Sequence, residues 1–286
     1  MNAARQRPPG SAFGDPTLAE RAWDRTRKAV RRWSLAGAAC GLLAGLLAFA
    51  PAAWLADEIG RRSDGRLLLA DARGTVWSGS AVPVLAGGAD SRSAAVLPGR
   101  LSWSIGLRGG ALEMRLAQPC CIDDTLLMLL RPGFGGLSVE LPPGGGAVGE
   151  WPAAWLAGLG APWNSLQLSG ALQLASPGLT LQLGAGRWRL NGQAELRLRD
   201  VASPLTPVGR LGSYSLHIEG RDGQPATLRL STLDGALRLQ GDGQWSGTHF
   251  RFRGEAQAAP GFEPALDNLL NLIGRRQGAL SVLAIG

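Results

Sequence analysis

The sequence predicts a mainly β protein, with an N-terminal transmembrane helix followed by an antiparallel sheet, curved or sandwich-like, that carries one or two short helices. Residues 33–56 contain no charged side chain. Beyond residue 60, apolar and polar residues alternate with a period of two, as in strands with one buried face. Glycine (42) and proline (18) make up about a fifth of the 286 residues, which favours short strands joined by turns over a long helical bundle.

The positive charge of the chain is concentrated near its N-terminus. The net charge is +7 and the pI is about 10.7, yet residues 1–32 alone hold eight basic and three acidic residues. A basic groove for nucleic acid would need charge spread over the folded body, so we expect no nucleic-acid partner. Lys28 is the only lysine, which excludes a P-loop and a Schiff-base lysine in the body.

The uncharged segment 33–56 predicts a membrane helix, because about twenty residues span the hydrocarbon core. Trp33 and Trp54 stand near its ends, where tryptophan anchors membrane helices at the interface. Arginines precede the segment, so the positive-inside rule places residues 1–32 in the cytoplasm and residues 57–286 on the far side. The alternative, a cleaved signal peptide, fits less well because the preceding basic region is long.

Three glycines of this segment, Gly37, Gly41 and Gly45, are spaced by four residues. This spacing stacks them on one helix face and makes them candidates for a helix–helix interface. Glycine is also common in membrane helices, and the sequence leaves both interpretations open.

The remaining chain is predicted as strands and turns, with two helices. Alternation is clearest in seven segments: 166–174, 179–183, 194–198, 214–218, 227–231, 236–240 and 250–253. Helices are predicted at 151–158 and 264–273, and a final strand at 279–285. Residues 86–99 and 142–150 are predicted as loops, and residues 1–15 as disordered.

No segment carries a recognisable catalytic pattern. Residues 144–149 match G-x-G-x-x-G, but no βαβ pattern surrounds them, so we interpret them as a loop. The two histidines, His217 and His249, are predicted on solvated strand surfaces. We therefore expect no catalytic residue, no cofactor and no metal site.

Cysteine and tryptophan each leave alternatives open. Cys120 and Cys121 are adjacent, and they could form a vicinal disulfide, remain buried thiols or pair with another molecule; Cys40 lies in the uncharged segment. Four tryptophans lie in strand patterns and are candidates to line a groove or contact a partner, although such residues are more often core anchors. They are Trp77, Trp103, Trp188 and Trp245.

A series of short motifs resembles a known family. They are G-T-V-W-S-G at 74–79, L-S-W-S-I at 101–105, the blocks at 211–220, 230–245 and 251–256, and L-D-N-L-L-N-L-I-G-R-R-Q-G-A-L-S at 266–281. Their order is similar to that of protein N of the type II secretion system, a bitopic inner-membrane family with a periplasmic β-rich domain. The resemblance covers residues from about 33 onward. It implies no role for the basic arm or for the segments 86–99 and 142–150, which depart from the family's pattern.

The resemblance implies a non-enzymatic, single-pass subunit of the bacterial inner membrane that supports export of folded proteins across the outer membrane. Expected partners are inner-membrane lipid, other secretion-system membrane subunits and, beyond them, the outer-membrane secretin. The G-T-V-W-S-G element also resembles a motif of AsmA-like envelope proteins, which gives an alternative: a periplasmic groove that handles lipid or another apolar ligand.

Overall fold

The computed structural model describes the backbone of residues 16–286, except for residues 89–90, 92, 123, 134–135, 144–145, 161–162 and 185–186. Side chains are described from residue 30 onward, except for residue 32 and the same gaps. The chain divides into two compact units, Met1–Ala50 and Pro51–Gly286. The described part of the first unit is the helix α1 (Pro16–Ala48) and the turn that follows it. Within the part of the chain that the structure describes, no helix combines the length and hydropathy that a membrane crossing needs.

The second unit is built on one antiparallel sheet of sixteen strands. The first eight are β1 (Leu67–Gly74), β2 (Ser78–Ala86), β3 (Ala94–Val96), β4 (Leu101–Arg108), β5 (Ala111–Ala117), β6 (Leu126–Gly133), β7 (Gly136–Leu141) and β8 (Gly146–Pro152). The other eight are β9 (Ser169–Gly184), β10 (Arg187–Ala202), β11 (Gly212–Gly220), β12 (Ala226–Asp234), β13 (Leu237–Trp245), β14 (Phe250–Ala258), β15 (Arg275–Gln277) and β16 (Leu280–Ile285).

Most strands follow their neighbours in the chain, as expected for a meander. The spatial order is β1-β2-β4-β5-β6-β7-β9-β10-β11-β12-β13-β14-β16-β15, with β3 beside β2 and β8 beside β9. The strands thus form a single sheet rather than the two stacked sheets of a sandwich. The antiparallel character predicted from the turn spacing is confirmed.

The register gives the sheet two ends. The turns that join β1 to β2, β4 to β5, β6 to β7, β9 to β10, β11 to β12 and β13 to β14 all lie at one end, here called the upper end. The turns that join β5 to β6, β10 to β11 and β12 to β13 lie at the opposite, lower end.

The period-two pattern gives the sheet two faces of different chemistry. Paired residues of β4, β5, β6, β7, β9 and β10 form one continuous apolar row: Leu107, Leu112, Leu130, Val139, Leu181 and Leu190. We call the face that carries this row the apolar face. On the other side, paired residues of β10 to β14 form a charged row: Glu195, His217, Arg229, Asp242 and Arg253. We call that side the polar face.

Four helical segments accompany the sheet: α2 (Ala52–Arg62), a 3₁₀ helix (Ala153–Leu159), α3 (Trp163–Leu166) and α4 (Glu263–Ile273). The larger core cluster joins Leu266, Leu269 and Leu270 of α4 to Tyr214 and Ala256 of the apolar face. A smaller cluster joins Ala52 of α2 to Ala81 and Trp103. The core is therefore concentrated where these two helices cover the sheet.

Several predicted boundaries are corrected by the structure. The helix predicted over 33–56 is interrupted: α1 ends at Ala48, and α2 begins only after Pro51, whose ring cannot donate the helical hydrogen bond. The predicted helix 151–158 is a strand end followed by the 3₁₀ helix. The predicted loop 142–150 holds most of β8, and 86–99 holds β3. The helix at 264–273 and the last strand match α4 and β16.

Two predictions concern residues outside the described part of the chain. These are the disorder of residues 1–15 and the first two positions, 144–145, of the G-x-G-x-x-G match. The other end of that match, residues 146–149, belongs to β8, so it lies within a strand and not in the turn between a strand and an α-helix that a dinucleotide site requires.

Candidate functional site

The most unusual feature of the sheet is that the middle of its apolar face is left open. Leu112, Leu130, Val139, Leu181 and Leu190 are all only half-buried, whereas Leu266, Leu269 and Leu270 of α4 are at most 2% exposed. Among the described residues, α2 packs against β1 and β2, the 3₁₀ helix against β2, β3 and β9, and α4 against β14–β16 and the core residues Tyr214 and Leu237, and none of the row's residues belongs to either core cluster. A contiguous, partly exposed apolar surface is a candidate site for a partner or an apolar ligand.

Aromatic side chains continue the apolar face toward the upper end of the C-terminal strands. The rings of Phe250 and Phe252 are nearly parallel, with centroids 6.4 Å apart. Gly241 and Gly254 share this face, and side-chain carbons built on them would lie 2.5 Å and 2.9 Å from ring atoms of Phe252. The Phe252 ring thus packs directly against the backbone of Gly241 and Gly254, and it forms the aromatic surface of this part of the face.

The four tryptophans predicted as groove or partner residues occupy different environments. Trp103 is 4% exposed, packs in the α2 cluster and donates its indole N–H to the Val76 carbonyl over 3.0 Å. Trp77, in the β1–β2 turn, is 37% exposed. Trp188 and Trp245 are half-buried at the upper end of the apolar face. A direct role in binding remains a prediction for all four.

The glycine series predicted as a helix–helix interface lies on α1. Gly37 and Gly41 are exposed and Gly45 is half-exposed. Side-chain carbons built on the three residues would meet no other atom within 4 Å. The face therefore has room for the close approach of a second helix, and the interface stays a prediction.

The polar face is organised by ion pairs between neighbouring side chains. Glu195 accepts two hydrogen bonds from Arg197 and one from the Ser215 hydroxyl, and these bonds hold its carboxyl pKa below the ordinary value. Glu113 is 5% exposed and lies between Arg108 and Arg115, whose guanidinium groups likewise lower its pKa. Such pairs stabilise the charged carboxylate and do not poise it for proton transfer at neutral pH.

The histidines lie on this solvated side, as predicted. His217 and His249 are both exposed. A groove of about 620 Å³ on the polar face is lined by residues of both charge signs, among them His217, Arg229, Asp242 and Arg253, and Arg229 is paired with Asp242. The described residues contain no group of three or more histidine, cysteine or acidic side chains that could hold a metal.

The adjacent cysteines form a vicinal disulfide, one of the three alternatives that the sequence left open. Cys120 is exposed and Cys121 is buried, at the lower-end turn between β5 and β6. The Cys121 carbonyl accepts a hydrogen bond of 2.7 Å from the Glu150 N–H, which ties this turn to β8.

An apolar groove is predicted from the sequence only as the AsmA-like alternative, with tryptophans as its candidate lining, and the row of leucines is not among the predicted site residues, although its signal is present. Alternating leucines predict that one face is buried, yet only two short helices were predicted to cover it. More than a dozen strands offer far more apolar surface than two helices can cover. A comparison of the number of predicted helices with the number of predicted strands therefore predicts that part of the apolar face is left without a covering helix.

Comparisons with known proteins assign the family. A model of the type II secretion system (T2SS) protein N family matches residues 65–282, which include β1 to β15 in full and the first three residues of β16. No curated protein and no solved structure gives a significant match to the chain. Because the matched segment covers most of the sequence and runs from the first strand to the last, the chain belongs to the protein N family of the type II secretion system.

Proposed function

We propose that this secretion-system component is a non-enzymatic subunit of the bacterial inner membrane that supports export of folded proteins across the outer membrane. The observation that carries the proposal is the family match over residues 65–282. The open apolar face supports it, because a subunit of a multiprotein machine needs surface to offer to other subunits. The partners we propose are other secretion-system membrane subunits and the outer-membrane secretin.

The proposed topology is single-pass, with residues 1–32 cytoplasmic, residues 33–56 in the membrane and residues 57–286 in the periplasm. Support comes from the uncharged segment 33–56 and from the arginines that precede it. The apolar side chains of α1 are also largely exposed, for example Leu42 (67%) and Leu47 (65%), as expected for side chains that face lipid. Gly37, Gly41 and Gly45 are the proposed contacts to a second membrane helix.

The experiment that tests this function is gene deletion with complementation. We expect loss of the gene to reduce secretion of folded exoproteins and to reduce co-purification of the other inner-membrane subunits. Complementation with Leu181→Asp, which places a charge on the open apolar face, should restore less secretion than Arg199→Asp, a control on an exposed polar-face position. Normal secretion and normal assembly in the deletion strain would reject the proposal.

A second function is favoured by the same open face: binding of lipid or another apolar ligand in the periplasm, as in AsmA-like proteins. The row from Leu107 to Leu190 crosses six strands with no charged residue in it. Native mass spectrometry of the full chain tests this function. A co-purified lipid that Leu181→Asp displaces and Arg199→Asp retains would support it, and a ligand-free spectrum for both would reject it.

A further inference from the structure

The turn that holds the vicinal disulfide is the point where three separate segments of the sheet meet. The Gln118 side chain is 2% exposed and donates to the Pro98 carbonyl over 3.4 Å, in the connection between β3 and β4. The Gln118 carbonyl accepts hydrogen bonds of 3.1 Å and 3.0 Å from the N–H groups of Cys121 and Ile122. On the other side, the Cys121 carbonyl accepts the 2.7 Å hydrogen bond from Glu150 of β8. The turn therefore links β8 to the β3–β4 connection.

The strand β8 can approach this turn closely because Gly149 has no side chain. A Cβ atom built on Gly149 would collide with the Cys121 carbonyl oxygen. The pairing of β8 with β9 is also irregular between Ala147 and Gly149, and such irregularities bend a strand locally. The Cys121 carbonyl thus lies directly against the backbone of β8, so a change in the conformation of the turn acts on β8.

A gap in the sheet runs beside the same turn. The ladder between β6 and β7 begins at Leu129, so residues 126–128 of β6 extend past its end. Continued at the same register, they would face residues 141–143, of which Pro142 and Pro143 have no N–H to donate. Among the described strands, β8 pairs with β9 and with no other. We call the gap between the start of β6 and β8 the seam, and the hydrogen bond from Glu150 to Cys121 crosses it.

The two halves of the disulfide differ in their access to solvent. Cys120 is exposed, whereas Cys121 is 5% exposed. In thiol–disulfide exchange a thiolate must reach one of the two sulfur atoms, and access decides which of them is attacked. The difference in exposure therefore directs an incoming thiolate to Cys120 and makes Cys121 the leaving group.

From these observations we propose that the Cys120–Cys121 disulfide is a reducible clasp, which holds the β5–β6 turn against β8 across the seam and reacts with a dithiol reductant. A thiolate of the reductant attacks Sγ of Cys120. The S–S bond breaks with its electron pair on Sγ of Cys121, which takes a proton from water. The second thiol of the reductant then displaces Cys120 from the mixed disulfide. The clasp gains two electrons and two protons, and the dithiol becomes a disulfide.

Reduction opens the ring that fixes Cys120 and Cys121 relative to each other, so the Cys121 carbonyl is free to leave the Glu150 N–H. The strand β8 keeps its ladder with β9, which confines the change to the seam. The oxidised resting state rests on the periplasmic location proposed above, because disulfides persist in oxidising compartments. The experiments use purified protein, so their failure would reject the clasp and leave the proposed secretion function standing.

The first experiment locates the attacked sulfur. The full chain in detergent, with Cys40→Ser to remove the third cysteine, is treated with glutathione as the probe and quenched with N-ethylmaleimide, which caps the released thiol. Fragmentation between residues 120 and 121 in the mass spectrometer shows which residue carries which group. We expect glutathione on Cys120 and maleimide on Cys121. The reverse arrangement, equal amounts of both, or no reaction in the folded protein would overturn the proposal.

The second experiment measures amide hydrogen exchange before and after reduction with dithiothreitol. The Glu150 amide should exchange about fivefold faster after reduction, the factor that corresponds to the loss of about one hydrogen bond. Leu211 is the matched control, because its N–H donates to the Val201 carbonyl over the same 2.7 Å at the lower end of the sheet, and its exchange should not change. Unchanged exchange at Glu150, or equal acceleration at both amides, would overturn the clasp.

Discussion

The aromatic ring of Phe252 occupies the space that a side chain at Gly241 would fill. A Cβ atom built on Gly241 would lie 2.5 Å from Cζ of Phe252 and 2.8 Å from both the Arg253 carbonyl oxygen and Cα of Gly254. Gly241 pairs with Gly254 between β13 and β14, so two neighbouring positions of the apolar face lack side chains. The ring thus replaces, on these strands, the packing that the glycines cannot supply.

Gly241→Val is expected to destabilise the protein by about 1–3 kcal/mol, because the new side chain must displace both the ring and backbone atoms. Urea unfolding of the detergent-solubilised chain measures this change. Gly106→Val is the matched control, since Gly106 also lies in a strand and has no atom within 4 Å of its built Cβ. Equal unfolding midpoints for the two variants would show that the Phe252 ring is not packed against β13.

Tyr214, the only tyrosine, is buried beside α4 and donates its hydroxyl to the Leu237 carbonyl over 3.0 Å. Burial raises the pKa of its phenol well above the ordinary value, with the Asp234 charge adding to the shift. A raised pKa in the folded state contributes stability that is present below about pH 10 and is lost as pH rises further. We therefore expect no tyrosinate absorbance in the native protein at pH values just above 10, and its appearance only on unfolding.

Tyr214→Phe serves as the control for this alkaline behaviour. It should lower the free energy of unfolding by about 1 kcal/mol at neutral pH through the lost hydrogen bond. The alkaline loss of stability should become shallower in the variant. A wild-type tyrosine that titrates near pH 10 with the fold intact would contradict the buried position.

Glu113→Gln tests the carboxylate held between Arg108 and Arg115 on the polar face. Because the pKa of Glu113 is lowered, its contribution to stability is present above the unfolded value of about 4.3 and is lost as pH falls below it. The variant should melt at a lower temperature at neutral pH and depend less on pH in the acid range. Glu219→Gln, which removes an exposed ion pair with Arg221, should lower the melting temperature less. An equal decrease for the two variants would mean that the buried Glu113 carboxylate contributes no more to stability than an exposed one.

The sequence predicts the strands of this protein well because period-two alternation reports directly on sheet faces. Residues 214–218 and 227–231 lie within β11 and β12, and 250–253 begin β14. The strand β8 is absent from the sequence-based prediction because residues 142–150 are rich in glycine and proline, which signal turns locally. Their strand is imposed by pairing with β9, a tertiary contact that no local signal contains.

The site was harder to predict than the fold. Trp103 and Trp188 lie in similar strand patterns, yet one is buried under α2 and the other lines the upper end of the apolar face. What separates them is where the covering helices dock, which depends on the three-dimensional path of the chain. The vicinal disulfide was likewise only one of three alternatives, because adjacency does not determine whether two thiols bond.

The disulfide predicts a defined thiol count. Under non-reducing, denaturing conditions, one thiol per chain, that of Cys40, should react with a maleimide, and reduction should raise the count to three. Intact mass spectrometry gives both numbers. Three reactive thiols before reduction would indicate free cysteines, and a dimer on a non-reducing gel would indicate an intermolecular bond.

Truncating leucines in the two environments tests whether the apolar face is truly open. Leu270→Ala in α4 removes a side chain that is 1% exposed and should cost about 2–5 kcal/mol, the usual range for a buried leucine. Leu181→Ala, at a half-buried position of the open row, should cost clearly less, because part of its side chain already contacts solvent. Urea unfolding in detergent measures both.

The same pair of variants separates stability from function. If the open face binds a partner or an apolar ligand, Leu181→Ala should weaken secretion or ligand retention more than its small loss of stability explains. Leu270→Ala should affect function only through the amount of folded protein. Similar unfolding costs for the two variants would mean that the face is covered in the folded chain. A Leu181→Ala protein with full secretion and unchanged ligand content would mean that this part of the sheet contacts nothing that matters to export.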